Sequence, residues 1–187
     1  LLIKLRWLLV IEKVSGQNLE SYFRENITGP LKMNSTWFNV PNNLSEKIVT
    51  FGGKDSLGVI NSWGRIPQKP QTTYRGDRGL FGSPSDYLSF LNCMLNYGKY
   101  DGGQLLKKET VLLMLKDNLP IGIKIPKIEE FDNGGIIGYT GNHYVGLTND
   151  RWGLAWAIEK DENEIRPVNS VYWAGAANSY FTLDVEN

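Results

Sequence analysis

Val171-Tyr172-Trp173-Ala174-Gly175-Ala176-Ala177-Asn178-Ser179-Tyr180-Phe181-Thr182-Leu183-Asp184 reads as strand, small-residue turn, strand. Tyr180, Thr182 and Asp184 alternate with Phe181 and Leu183, the period of a half-buried strand. Between the strands, Ala174, Gly175, Ala176 and Ala177 leave almost no side chain. Such a run either makes a tight hairpin and nothing more, or lets a ligand lie against the backbone and use its N–H groups. The second use is what an acyl-transfer enzyme needs where an oxyanion develops.

Working outward, Gly153-Leu154-Ala155-Trp156-Ala157-Ile158 reads as a buried strand, and Asp161-Glu162-Asn163-Glu164 as a polar connection to Val171. With Val171–Trp173 and Ser179–Asp184 these make one three-stranded antiparallel unit, and strand and glycine-turn patterns begin near Gly134. Upstream the pattern is helical. One helix is expected over about Leu5–Val14, stopped by Ser15-Gly16. Asn18 is placed to cap a second, carrying Leu19, Tyr22, Phe23 and Ile27 on one face and ended by Gly29-Pro30.

The stretch from Asn39 to Thr73 is polar and rich in Gly and Pro, and reads as a long irregular connection with a short strand near Ile48–Phe51. Ser83-Pro84-Ser85-Asp86 is a strong helix start, with a hydroxyl cap, an early proline and an acid for the macrodipole. Tyr87, Phe90, Leu91, Met94 and Leu95 repeat behind it as a core stripe. Glu109–Leu115 suggests a further helix. Helices first and strands last give an α+β fold, with about 1–130 mainly helix and loop and about 131–187 antiparallel strands.

The 187 residues carry 20 basic and 20 acidic side chains. That balance, without long runs of one sign, argues against nucleic-acid or polybasic membrane surfaces. Apolar runs fall short of the roughly 18–20 residues that span a bilayer. Leu1–Val10 lacks a small-residue cleavage site and does not read as a signal peptide. The one cysteine, Cys93, and the one histidine, His143, exclude a disulfide within the chain and a cysteine or histidine metal cluster. Cys93 sits in an apolar helix and reads as a buried structural thiol.

Several segments carry a resemblance in collinear order. They are Val10-Ile11-Glu12-Lys13-Val14-Ser15-Gly16-Gln17, Gly29-Pro30-Leu31-Lys32-Met33-Asn34-Ser35-Thr36-Trp37-Phe38, Gly79-Leu80-Phe81-Gly82-Ser83-Pro84-Ser85-Asp86-Tyr87, Asp101-Gly102-Gly103-Gln104-Leu105-Leu106, and the Trp173 turn. Together they resemble the serine β-lactamase-like hydrolases: the class C β-lactamase, penicillin-binding-protein and esterase group, closest to the branch with Trp in the third motif. The resemblance implies a β-lactamase/transpeptidase-like α+β fold and a serine in Ser-x-x-Lys that forms an acyl-enzyme. It also implies a Tyr-x-Asn-type second motif.

Neither motif occurs in this sequence, nor does a Gly-x-Ser-x-Gly elbow. The match places the tyrosine at or just outside residue 1. The expectation is therefore a C-terminal fragment, residues 1–187 of one catalytic domain, inactive without the N-terminal part of its own chain. A non-catalytic module that kept the fold is the alternative. A carbohydrate-binding β-domain, suggested by six tryptophans, conflicts with the helix signals at Asn18 and Ser83.

Only the third motif carries over. By the match, Trp173 takes the position of Lys, His or Trp, Ala174 the small residue, Gly175 the glycine, and the Ala176 N–H the oxyanion donor. Ala174 and Ala177 would line the substrate. Arg78, where relatives often carry glycine, would reach it, unless it pairs on the surface with Asp77. Relatives often read Trp-Gly-Gly-Ala-Ala-Gly-Thr, so Ala174, Asn178 and Ser179 depart from the pattern. A neutral Trp173 lacks the cation that holds a β-lactam carboxylate, which favours neutral esters. Equally, Trp173 reads as a hydrophobic anchor under the sheet. The implied partner is a small ester, amide or peptide-like substrate, with no cofactor, metal or nucleic acid. A periplasmic, secreted or membrane-attached location fits the resemblance.

Overall fold

The computed structural model describes residues 10–64, 70–74, 79–123, 149–162, 166–175 and 179–186. The chain divides into two compact units. One is Leu1–Cys93 with Tyr100–Leu105, the other Met94–Lys99 with Leu106–Asn187.

In the first unit, residues 10–15 are helical, the described part of the helix expected over Leu5–Val14. Asn18 then caps Leu19–Phe23 (α1), its side chain accepting the Ser21 N–H at 2.9 Å. The helix widens into a π-helical turn over Arg24–Thr28 and stops at Gly29, whose N–H reaches back to the Arg24 carbonyl at 2.9 Å. That carbonyl would stand 2.3 Å from a Cβ on Gly29, so the glycine is required by space. Leu19, Leu31, Met33 and Phe38 are buried here, with Phe38 edge-on to Phe23 and Tyr74 at 5.4 and 5.2 Å. Polar side chains fix the loops around it. Glu20 accepts the N–H groups of Phe38 and Asn39. Arg24 donates to the Met33 and Thr36 carbonyls and covers the Trp37 ring.

The region read as irregular contains a hairpin. Phe51–Lys54 (β1) pairs antiparallel with Ile60–Gly64 (β2). Its turn is organised by Asp55, whose carboxylate accepts from Leu57 N, Val59 N and the Asn61 amide, with Gly58 at φ +79. A strand near Ile48–Phe51 was expected; it begins three residues later.

Pro84–Leu95 (α2) starts at the expected place, with Ser83 Oγ accepting the Asp86 N–H at 3.2 Å. Asp86 is buried and accepts the Ser35 N–H and the Thr36 hydroxyl, both at 2.8 Å. Its role is thus more specific than complementing a macrodipole. The expected stripe is only partly core. Leu91 and Met94 are buried, Phe90 half-buried, and Tyr87 and Leu95 exposed. Cys93 is buried and free, and desolvation pushes its thiol pKa up, in keeping with a structural thiol. The short strands Lys99–Tyr100 (β3) and Gly103–Gln104 (β4) follow.

In the second unit, Lys108–Leu115 (α3) buries Val111. Among the described residues the sheet has four antiparallel strands, one more than expected, in the order β5-β6-β7-β8: Arg151–Trp152 (β5), Ala157–Ile158 (β6), Val171–Gly175 (β7) and Ser179–Leu183 (β8). Helices followed by an antiparallel sheet give the expected α+β arrangement. The strand expected over Gly153–Ile158 is a correction. Residues 153–156 turn the chain between β5 and β6, and only Ala157–Ile158 is strand.

The cause is the Met114 carbonyl. It accepts from Leu154 N at 2.9 Å and from Trp156 Nε1 at 2.8 Å, and would lie 2.2 Å from a Cβ on Gly153. Ala155 takes φ +85 to complete the turn. The Gly153 N–H also closes the turn locally on the Trp156 carbonyl at 3.0 Å, but an apolar run does not announce the contact with Met114, far away in sequence. Strands expected between Gly134 and residue 148 lie outside the described residues.

Candidate active site

Trp173, Ala174 and Gly175 lie in the second half of β7, with Phe181, Tyr180 and Ser179 of β8 opposite them. On the other side, β6 pairs only with Val171 and Tyr172. Among the described residues, the Trp173–Gly175 backbone therefore has one sheet neighbour, and its other edge carries no ladder. Burial changes along the strand in step with this. Val171 and Tyr172 are fully buried, whereas Trp173 is 40% exposed. Ala176, Ala177 and Arg78 lie outside the described residues, as do Asn178, Asp77 and His143.

The Trp173 ring meets Trp152 of β5 edge to face, with centroids 4.7 Å apart and planes at 88°. This is the arrangement that sets the positive edge of one ring against the negative face of the other. Trp152 is half-buried and packs on Ala157 and Tyr172. The register explains its place: Trp152, Ala157 and Tyr172 occupy one cross-strand row. The alanine between them is too small to separate an indole from β7. On β8, Phe181 lies edge-on to the buried Trp156 at 6.4 Å.

A buried polar network holds Tyr172. Its hydroxyl donates to the Asp150 carboxylate. The Arg166 guanidinium lies 3.5 Å over its ring. Arg166 Nε donates to Glu159 at 3.0 Å, both side chains being almost wholly buried. Glu159 also accepts the Asp161 N–H at 2.9 Å. Four residues between positions 150 and 172 thus tie the start of β5, the end of β6 and β7 together.

Beside it, Arg151 donates to Asp117 at 2.5 Å and to the Leu119 and Ile123 carbonyls. Burial alone would raise the Asp117 pKa. The Arg151 hydrogen bond, the Leu119 N–H and the nearby charges of Arg151 and Lys160 outweigh it and hold the carboxyl below its ordinary value.

Sequence reading singled out Trp173, Ala174 and Gly175 but missed Trp152 and the Asp150–Tyr172–Arg166–Glu159 network. Trp152 had a signal, since Arg151-Trp152 directly precedes Gly153 and a turn there would have set a second tryptophan across the sheet. The network had none, because Asp150, Glu159 and Arg166 are ordinary polar residues in connections and meet Tyr172 of β7 only in the folded chain. Among the described residues, no cluster of His, Cys, Asp and Glu could hold a metal ion, and no helix is long and apolar enough to cross a membrane.

A family model described as Beta-lactamase matches residues 8–187. Among curated proteins, the ML-236A carboxylate methylbutanoyltransferase of Penicillium citrinum is 24% identical over 185 residues, 94% of this chain and 42% of that protein. The monacolin J acid methylbutanoyltransferase of Aspergillus terreus is 26% identical over 188 residues, again 94% of this chain and 43% of the relative. A putative D-alanyl-D-alanine carboxypeptidase of Escherichia coli O157:H7 is 29% identical over 120 residues, 54% of this chain and 27% of that one. Among solved structures, a mutant of simvastatin synthase from Aspergillus terreus superposes with a TM-score of 0.73 at 24% identity, covering 94% of this chain and 44% of that one. The chain spans less than half the length of the two methylbutanoyltransferases and of the synthase.

Proposed function

The chain belongs to the beta-lactamase family and has its β-lactamase/transpeptidase-like fold, and from that premise we propose that it forms the C-terminal, substrate-facing portion of a catalytic domain that moves acyl groups through a serine acyl-enzyme. The observation that carries this reading is β7. Its Trp173-Ala174-Gly175 segment combines an exposed indole, two minimal side chains and a backbone edge that β6 leaves uncovered beyond Tyr172.

In this reading the nucleophilic serine and its lysine come from sequence outside these 187 residues, since no Ser-x-x-Lys occurs within them. The serine oxygen attacks the substrate carbonyl, and the carbonyl oxygen takes up negative charge. By the family match the Ala176 N–H is the group that would donate to that oxygen. Trp173 lines the acyl side, and Ala174 and Ala177 leave room beside it. Collapse of the tetrahedral species expels the leaving alcohol or amine, and water or a second alcohol resolves the acyl-serine. The names of the relatives are in keeping with both outcomes, methylbutanoyltransferase for the fungal proteins and putative D-alanyl-D-alanine carboxypeptidase for the bacterial one. The neutral Trp173 favours uncharged ester acyl groups.

The absence of Ser-x-x-Lys from the sequence favours one other reading, a binding module that keeps the fold without the chemistry. A fluorophosphonate probe separates the two. The full-length protein should be labelled stoichiometrically at one serine and turn over a chromogenic short-chain ester. The 187-residue chain alone should do neither, because removal of a serine nucleophile costs many orders of magnitude in rate. A full-length protein that takes no label supports the binding module. A labelled and active isolated chain overturns the assignment of the nucleophile.

A further inference from the structure

We propose that Trp152 is a specificity-determining positioning residue: it holds the Trp173 indole by an edge-to-face contact and so sets the length of acyl chain that fits beside β7. The proposal rests on the acyl-enzyme reading above, and adds to it a residue outside the third motif that acts on the choice of acyl chain.

The two indoles differ in how they are held. Trp152 is immobilised from several sides. Its ring packs on Ala157 and Tyr172, its backbone pairs with Ala157, and its carbonyl accepts the Asn118 N–H at 2.8 Å. The preceding Arg151 is clamped to Asp117 and to the Leu119 carbonyl. Tyr172 is in turn fixed by Asp150 and Arg166. Trp173, by contrast, is 40% exposed and meets the Trp152 ring at 4.7 Å and 88°.

An exposed tryptophan on a strand has several rotamers open to it. The edge-to-face contact with Trp152 favours the orientation seen here, because it sets the positive edge of one ring against the negative face of the other. Trp152 therefore acts on a ligand through Trp173. Ala174 and Gly175, the next two residues, are the two smallest residue types, which leaves the indole as the bulky group of this segment. An aromatic wall without charge accepts an aliphatic chain and discriminates by length, each methylene changing the fit measurably.

The test uses the full-length protein with p-nitrophenyl acetate, butyrate, hexanoate and octanoate. Wild type should prefer the short chains. Trp152→Ala should let Trp173 swing back and raise the octanoate-to-butyrate ratio of kcat/KM by about tenfold or more. Trp152→Phe, which keeps a ring against Trp173, should restore the wild-type order. A merely structural Trp152 would lower the melting temperature and reduce all four esters by one common factor in Trp152→Ala; that result overturns the proposal. Fluorophosphonate labelling of the wild type, run alongside, separates the two levels. No label refutes the acyl-enzyme reading and this inference with it, whereas a labelled wild type with an unchanged ester ratio in Trp152→Ala refutes the role of Trp152 alone.

Discussion

The Tyr172 hydroxyl donates to the carboxylate of Asp150 in the interior of the second unit, where both side chains are buried. Tyr172→Phe keeps the ring under Arg166 and removes this donor from a buried carboxylate. A buried hydrogen-bond partner lost this way costs about 1–3 kcal/mol. Tyr172→Leu, which also removes the face beneath Arg166, should cost more. Urea unfolding of the three proteins checks both the sign and the order; equal stability of Tyr172→Phe and wild type would show that the bond contributes nothing.

Arg166 and Glu159 form a buried ion pair at 3.0 Å. Arg166→Met leaves Glu159 without this cation and should destabilise by about 3–5 kcal/mol. Arg166→Met combined with Glu159→Leu should recover a large part of the loss, because no buried charge remains without its partner. A double mutant as unstable as the sum of the singles would contradict this.

Several elements were legible in the sequence because their determinants are local. The Asn18 cap, the Ser83 start of α2 and the β7–β8 hairpin each depend on residues within a few positions of one another. The turn at residues 153–156 was not legible, since part of what holds it is the distant Met114 carbonyl. The β1–β2 hairpin was hidden by a polar, glycine-rich composition. Its signal was the Asp55-to-Gly58 turn, where one carboxylate accepts two backbone N–H groups. At the site, Trp173, Ala174 and Gly175 were readable from motif order, but their support was not. Trp152 comes to β7, in the row of Tyr172, through the β5–β6–β7 pairing, and pairing is a tertiary fact.

Gly153 should tolerate no side chain. A Cβ there would stand 2.2 Å from the Met114 carbonyl oxygen, which is itself fixed by bonds from Leu154 and Trp156. Gly153→Ala must displace that backbone and should cost about 1–3 kcal/mol. Thermal unfolding measures it, and an unchanged melting temperature would mean that the turn is not held by Met114.

Asp117 gives the second unit a pH dependence of known sign. Its folded pKa lies below the ordinary value, chiefly because the Arg151 hydrogen bond overcomes desolvation. A depressed carboxyl contributes stability that is complete above the unfolded pKa of about 3.9 and is lost as pH falls through the lower folded value. Asp117→Asn should therefore lower stability at neutral pH and make the acid limb below about pH 4 less steep. Parallel acid limbs in mutant and wild type would show that Arg151 does not stabilise the ionised form.

The central claim is that the Trp173 end of β7 is the acyl site, and Trp173→Ala in the full-length protein tests it most directly when ester turnover and melting temperature are measured on the same preparation. Loss of a pocket wall should reduce kcat/KM by about 1–3 kcal/mol of transition-state binding while the melting temperature stays near wild type, because the indole is 40% exposed and β7 keeps its pairing with β8. Unchanged turnover together with a large fall in melting temperature would show Trp173 to be an anchor of the sheet, and the site assignment would be wrong.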